Sequence, residues 1–312
     1  MHWLSAHKDN MDEVFTEAET LIRSFSEPLN HHGLAYFAKF DLRQQESTKN
    51  YICYLLPYWM QEITLLPDES VKKLSLANVF VMLYYFVVDD IMDAAKGEHK
   101  DKLPLANLFQ MQFQHIYRAL FPPQSPFWHY YETYVLEWAD AVAGELDGNY
   151  FHTDQRKVAW KASPVKNAST GALLLAGRAE LIPVVTGAVE QVLVTLQMLD
   201  DWADWKEDLD EGSYNCLLAF LRGNERHVES DSLTSEWVKQ QLYVSDGLEG
   251  YSEVAVRHHE RLVALGISMK ELSEFHYSLV DSLRMSAKEI KEKRNHLLSG
   301  GLYYFLSDSS NF

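Results

Sequence analysis

Residues 80–93 read FVMLYYFVVDDIMD. A run of β-branched and aromatic residues ends in three carboxylates, Asp89, Asp90 and Asp93, and no Lys or Arg follows until Lys96. Upstream, "LPDES" (66–70) is a turn in which Asp68 or Ser70 suits an N-cap, so one long helix is expected from Val71 to Ala94. On a helix, positions i and i+4 share a face and i+1 lies about 100° away, so these carboxylates converge on one side and repel. Either they cap the start of something new, or they await a cation that reverses the repulsion.

A second stretch, LQMLDDWADWKEDLDEG (196–212), repeats the arrangement on a larger scale. Asp200 or Asp201, Asp204 and Asp208 fall on one helical stripe, followed by Asp210 and Glu211, with Glu207, Trp202 and Trp205 interleaved. It ends an apolar segment that starts near Ala179, with Pro183 close to the first turn, where Pro is tolerated. Clusters of oxygen ligands without His or Cys select hard cations such as Mg²⁺ or Mn²⁺. Mg²⁺ commonly bridges protein carboxylates to substrate phosphates, so two such helices suit the clamping of a diphosphate. One acidic string at a helix end is commonly a solvated face. Two, each ending a long apolar helix, are much harder to read that way.

Outward from these motifs the chain reads as helix throughout. Apolar spacings of three and four recur in 9–25, 127–146, 235–248, 250–266 and 268–298, and strand alternation bounded by hairpin turns is hard to find. The expected architecture is all-α, a single domain over 1–312 with antiparallel helices joined by short loops. The 312 residues carry a net charge of −17, which argues against nucleic acid, because neutralising phosphates takes clustered Lys and Arg. Cys53 and Cys216 both lie in apolar runs, which suits reduced thiols and a cytoplasmic protein. No uninterrupted apolar run reaches the roughly 20 residues of a membrane span, so no integral membrane segment is expected. A di-iron bundle would need Glu-x-x-His pairs, and none of the 13 His has Glu three residues earlier.

The pair DDIMD (89–93) and LQMLDDWADWKED (196–208) resembles the two aspartate-rich motifs of the trans-isoprenoid diphosphate synthases and class I terpene synthases. Gln197 matches the Gln that precedes the second acid pair in the polyprenyl synthases, and Asp204, Glu207, Asp208, Gly212 and Tyr214 are similar to the second motif of squalene and phytoene synthases. The resemblance spans about Tyr51 to Phe220. It implies an antiparallel helical barrel around a deep apolar cavity, with Asp89, Asp90, Asp93, Asp200, Asp201, Asp204 and Asp208 facing one another at its mouth as metal ligands. The implied cofactor is Mg²⁺, or Mn²⁺ in its place, and the implied substrate a prenyl diphosphate. A homodimer is among the assembly states open to such a protein.

The same resemblance assigns cationic and aromatic partners. In RKVAWKASPVKNAST (156–170), "KASP" looks like the element that holds diphosphate in this superfamily. Lys161 is the first candidate, then Lys166, the latter weighed evenly against a solvated surface lysine, with Arg156 and Arg178 behind them. Tyr84 and Tyr85 occupy the positions that floor the pocket in chain-elongating relatives, and Phe80 lies a turn further back. A stripe of this kind is more often plain core, yet its rings would also stabilise a carbocation without trapping it. Two features of the elongating enzymes are missing. No Arg-Arg-Gly follows the first motif, where AAKGEHKDKLP (94–104) stands, and no Gly-Lys-Arg occurs near the N-terminus, where the cations are Lys39, Arg43 and Lys49. The expectation is therefore a class I terpene synthase, a carbon–oxygen lyase. The alternatives are a chain-elongating trans-prenyl diphosphate synthase and a head-to-head prenyltransferase.

Overall fold

The structure, a computed structural model, describes residues 2–93, 100–145, 149–223 and 233–308, and every regular element among them is helical. The first half holds α1 (His2–Ser5), α2 (Lys8–Arg23), α3 (Leu29–Ala38), α4 (Tyr51–Trp59), α5 (Gln61–Thr64), α6 (Asp68–Met92), α7 (Lys102–Leu120) and α8 (Phe127–Ala143). The second holds α9 (Tyr150–Thr153), α10 (Arg156–Trp160), α11 (Lys166–Leu175), α12 (Ile182–Glu211), α13 (Cys216–Arg222), α14 (Ser235–Tyr243), α15 (Gly247–Ala264) and α16 (Lys270–Asp308). The chain divides into two compact units, described in turn.

The first unit comprises Met1–Trp138, Ala162–Gly187 and Ile267–Leu272, and α6 is its hub, packed against α2, α4, α7 and α11. The helix opens one turn earlier than expected. Pro67 is the residue before its first turn, and Asp68 and Glu69 lie inside that turn, where the positive end of the helix dipole favours them. Leu74, Ala77, Phe80, Val81 and Leu83 are buried on several faces, as on a helix that is apolar all round. Two polar side chains of α6 donate to backbone carbonyls inside the unit. Ser75 Oγ donates to the Tyr54 carbonyl at 2.7 Å and Asn78 Nδ2 to the Val165 carbonyl at 3.4 Å. The close approach of α11 depends on Gly171, where a Cβ would lie 3.1 Å from both Leu74 Cδ2 and Phe121 Cζ.

The second unit comprises Ala139–Lys161, Ala188–Gly266 and Ser273–Phe312. Here α12 is held by polar pins as well as apolar contacts. The Tyr251 hydroxyl on α15 donates to the Met198 carbonyl at 3.3 Å, and His276 Nε2 on α16, fully buried, lies 2.7 Å from Thr195 Oγ1. Helix α12 ends cleanly because Gly212 takes φ +76°, freeing Ser213 N–H to donate back to the Asp208 carbonyl at 2.9 Å, the glycine-dependent stop common at helix C-termini.

Several expectations change in detail. Lys102–Leu120, Leu29–Ala38 and Tyr51–Trp59 were not read as helices, although α7 is one of the principal neighbours of α6. Residues 235–248 are not continuous, because α14 stops at Tyr243 and α15 starts at Gly247. Ala94, the expected end of the first acidic helix, lies outside the described residues. Asp68–Met92 and Ala179–Glu211 are long and apolar enough to cross a membrane by length and composition alone, although 61% and 50% of their most apolar windows are buried within the protein.

Gly171→Val places two further methyl groups where a single Cβ already meets Leu74 and Phe121. The expected loss is about 1–3 kcal/mol of stability, read as a lower urea midpoint.

Candidate functional site

The first acidic motif lies at the C-terminal end of α6, not at the start of a new helix. Asp89 and Asp90 are in the last turn and Asp93 is the residue that closes it, its N–H donating to the Asp89 carbonyl at 3.0 Å. The capping alternative is thereby overturned. A helix C-terminus carries partial negative charge, so three carboxylates there oppose both one another and the dipole, and the last turn contains no base. Asp89 and Asp93 are exposed and Asp90 half-buried. Lys102 Nζ lies 3.4 Å from Asp90 Oδ2. Asp90, with Asp89 behind it, also disfavours ionisation of the Tyr36 phenol, whose burial is the larger cause of its upward shift.

The second motif repeats this at the end of α12, again without a base in the last turn. Its acids do different jobs. Asp201 is buried, and its two oxygens accept from Gln197 Nε2 at 2.7 Å and from the Cys216 backbone N–H at 2.5 Å. Asn215 ties the same turn together, donating from Nδ2 to the Asp201 carbonyl at 2.8 Å and to Asp208 Oδ2 at 2.7 Å, while its Oδ1 accepts from Leu218 N–H at 3.0 Å. Asp201 and Asp208 therefore anchor the start of α13 to the end of α12. Asp200 and Asp204 reach solvent. Even so, desolvation and then the charges of Asp204 and Asp201 push the Asp200 carboxyl up to about 6, against the pull of Lys161.

Among the described residues, no three His, Cys, Asp or Glu side chains are gathered closely enough to hold an ion as they stand. The donor chemistry nevertheless fits a hard divalent cation: oxygen ligands only, several carboxylates at each helix end, and a raised carboxyl that a cation would return to its ionised form.

The cationic candidates separate. Lys161 closes α10, and its Nζ pairs with Glu145 Oε1 at 2.5 Å. Burial works against this ammonium, but Glu145, with Asp201 beyond it, outweighs burial and raises its pKa. Lys161 thus lies within the field of the second acidic motif. Lys166 is not a solvated lysine. It is fully buried in the first unit, 2.6 Å from Glu137 Oε2 and 4.6 Å from the Tyr134 ring centroid, and Ser163 Oγ donates to the same Glu137 oxygen at 2.5 Å. Glu137, Ser163 and Tyr134 were not singled out in the sequence, and nothing in their local spacing marks them. Arg156 is exposed and paired with Asp154 at 3.0 Å, and Arg178 with Glu180 at 2.9 Å.

The aromatic candidates form one cluster in the first unit. Tyr85 meets Trp138 edge-on at 4.9 Å and Tyr84 at the same distance, and Tyr84 meets Phe113 at 5.8 Å. Both tyrosines are half-buried, whereas Phe80 is wholly core, 6.2 Å from Phe109. In the second unit Trp205 is buried, while Trp202 lines an apolar groove with Tyr243, Ile290 and Leu297.

No protein-family profile matches the chain, and no curated protein sequence does. Solved structures do. A geranylgeranyl pyrophosphate synthase superposes with a TM-score of 0.60 at 15% identity, over 88% of this chain and 98% of its own. A Corynebacterium glutamicum protein provisionally named a geranylgeranyl pyrophosphate synthase does so with a TM-score of 0.54 at 13% identity, over 93% and 96%. The chain has the all-α fold of the isoprenoid synthases.

The division of labour among the acids is testable by stability. Asp201→Ala strands the Cys216 N–H and should cost about 1–3 kcal/mol. Asp200→Asn should do the reverse in chelator-treated protein. An Asp raised from 3.8 to about 6 keeps its proton longer in the folded state, so wild-type stability falls as pH climbs through that window and levels off above it. Urea midpoints of the Asn variant should lack this fall and exceed wild type above pH 6.

Proposed function

We propose that this protein ionises an allylic prenyl diphosphate in a Mg²⁺-dependent reaction, acting as a trans-prenyl diphosphate synthase, with 1–312 as a single functional domain. The observation that carries the proposal is physical. Two long core helices, α6 and α12, each end in acids at the negative end of the helix dipole, and neither has a base in its last turn. Such an arrangement costs stability in the apo-protein, and a bound cation would relieve it.

Asp89, Asp90 and Asp93 at the end of α6 would serve as metal ligands, as would Asp200, Asp204 and Asp208 at the end of α12, with Asp201 and Gln197 fixing the backbone beneath the latter. Bound there, Mg²⁺ or Mn²⁺ supplies Lewis-acid neutralisation of a leaving diphosphate. Lys161 adds an ammonium that Glu145 keeps charged, and its N–H donors suit the diphosphate oxygens. The rings of Tyr84 and Tyr85 offer negative faces to a developing carbocation, and their phenols stay protonated because burial raises both pKa values. Phe80 closes the same stripe. Lys166 acts through Glu137 and Ser163 as a positioning group.

Chain elongation is favoured over ionisation alone by the neighbours in fold, both of which carry the name geranylgeranyl pyrophosphate synthase. The second reading, a terpene synthase, is favoured by the sequence, which lacks both Arg-rich phosphate forks. Product analysis separates them. Purified protein and Mg²⁺ are incubated with geranyl, farnesyl or geranylgeranyl diphosphate, with and without isopentenyl diphosphate. Longer diphosphates that require isopentenyl diphosphate are expected. Hydrocarbon or terpene alcohol from the allylic diphosphate alone moves the assignment to the lyase, and no turnover with any pair overturns both. Asp89→Ala, Asp204→Ala and excess chelator should each remove activity by about a hundredfold or more, and Lys161→Arg should retain more turnover than Lys161→Ala.

A further inference from the structure

A polar crevice of about 500 Å³ opens within the second unit, lined among others by Phe151, Arg156, Gln191, Arg257, His258 and Arg261. In a chain of net charge −17, three arginines around one cavity are out of keeping with the surrounding field. Arg156 is paired with Asp154. Arg257 and Arg261, one turn apart on α15, are exposed and have no ion pair or hydrogen bond among the described residues. Like charges at i and i+4 on a helix repel.

The floor of the crevice is equally unsatisfied. His258 is 1% exposed, and its Nδ1 lies 2.7 Å from Gln191 Oε1. A carbonyl oxygen can only accept, so Nδ1 carries the proton and Nε2 presents a lone pair. That Nε2 is buried and has no partner, a state native proteins rarely leave uncompensated. The crevice therefore asks for one molecule with negative oxygens for the guanidinium groups and a hydroxyl donor for the imidazole.

The geometry points to a binding site for a hydroxyl-bearing phosphate anion, such as hydrogen phosphate or a phosphate ester with a free hydroxyl, held by Arg257 and Arg261 and read by His258 Nε2. Guanidinium forks match phosphate oxygens in pairs, and carboxylates such as acetate lack the donor. The inference is independent of the prenyl diphosphate reading, since it uses none of the acids at the ends of α6 and α12.

Inorganic phosphate is the probe, titrated calorimetrically into full-length protein near neutral pH with excess chelator present, so that metal-bridged binding at the acidic helix ends is silent. Saturable binding to the wild type is expected. Arg257→Ala and Arg261→Ala, both at exposed positions, should each weaken it about tenfold or more, and the double variant should abolish it, while Asp204→Ala leaves it unchanged. Sulfate, which lacks the hydroxyl at this pH, and acetate should both bind more weakly than phosphate. Far-UV circular dichroism checks that the arginine variants remain folded. The proposal is overturned if wild type shows no saturable phosphate binding in the millimolar range, if the folded double variant binds as wild type does, or if sulfate or acetate binds as tightly as phosphate.

Discussion

Negative charge at the negative end of a helix is the constraint around which this protein is organised. Helix α6 begins with Asp68 and Glu69, where the dipole favours acids, and ends with Asp89, Asp90 and Asp93, where it opposes them. Helix α12 carries a denser set at the same unfavourable end. Stability alone would not retain either arrangement. The cost is met by burial, because both helices are core elements whose apolar length is far larger than the electrostatic term at their tips. A strongly buried shaft can thus present a repelling, solvent-facing tip.

The second tip shows how a charged cluster is kept in shape without a metal. Asp201 gives both oxygens to neighbouring donors, and Asn215 bridges Asp201 and Asp208 while capping α13. These bonds immobilise the backbone on which Asp200 and Asp204 are mounted, so only the exposed acids keep their freedom and their repulsion. Gly212 completes the frame by turning the chain through a left-handed conformation. In the first unit the corresponding work is done by close packing and by single buried polar bonds, such as Ser75 to Tyr54 and Asn78 to Val165.

Much of this was legible in the residues. The apolar periodicity of 71–94 and 179–209, the acids at their ends and the absence of strand alternation fix an all-α protein with two acid-tipped helices. What escaped was carried by contacts between distant positions. Helix α7 has an apolar pattern as good as its neighbours, but without flanking motifs it drew no attention. The roles of the acids could not be told apart by spacing, because Asp200 and Asp201 are chemically identical neighbours. One is buried beneath Gln197 and Cys216 and the other faces water, a difference set by α13, which packs there from beyond the turn.

The lysines make the same point from the other side. Sequence placed Lys161 and Lys166 five residues apart in one polar segment and offered no means of ranking them beyond resemblance. Tertiary structure puts them in different surroundings: Lys161 beside Glu145 within the field of Asp201, Lys166 sealed against Glu137 and the Tyr134 ring. The sequence by itself determined helix content and the acidic tips, because periodicity and charge are local properties of the chain. Only the tertiary structure decided which acids are structural, which lysine is buried, and that Arg257, Arg261 and His258 surround a common crevice with Arg156, because burial and unmet hydrogen bonds exist only once distant segments are packed together.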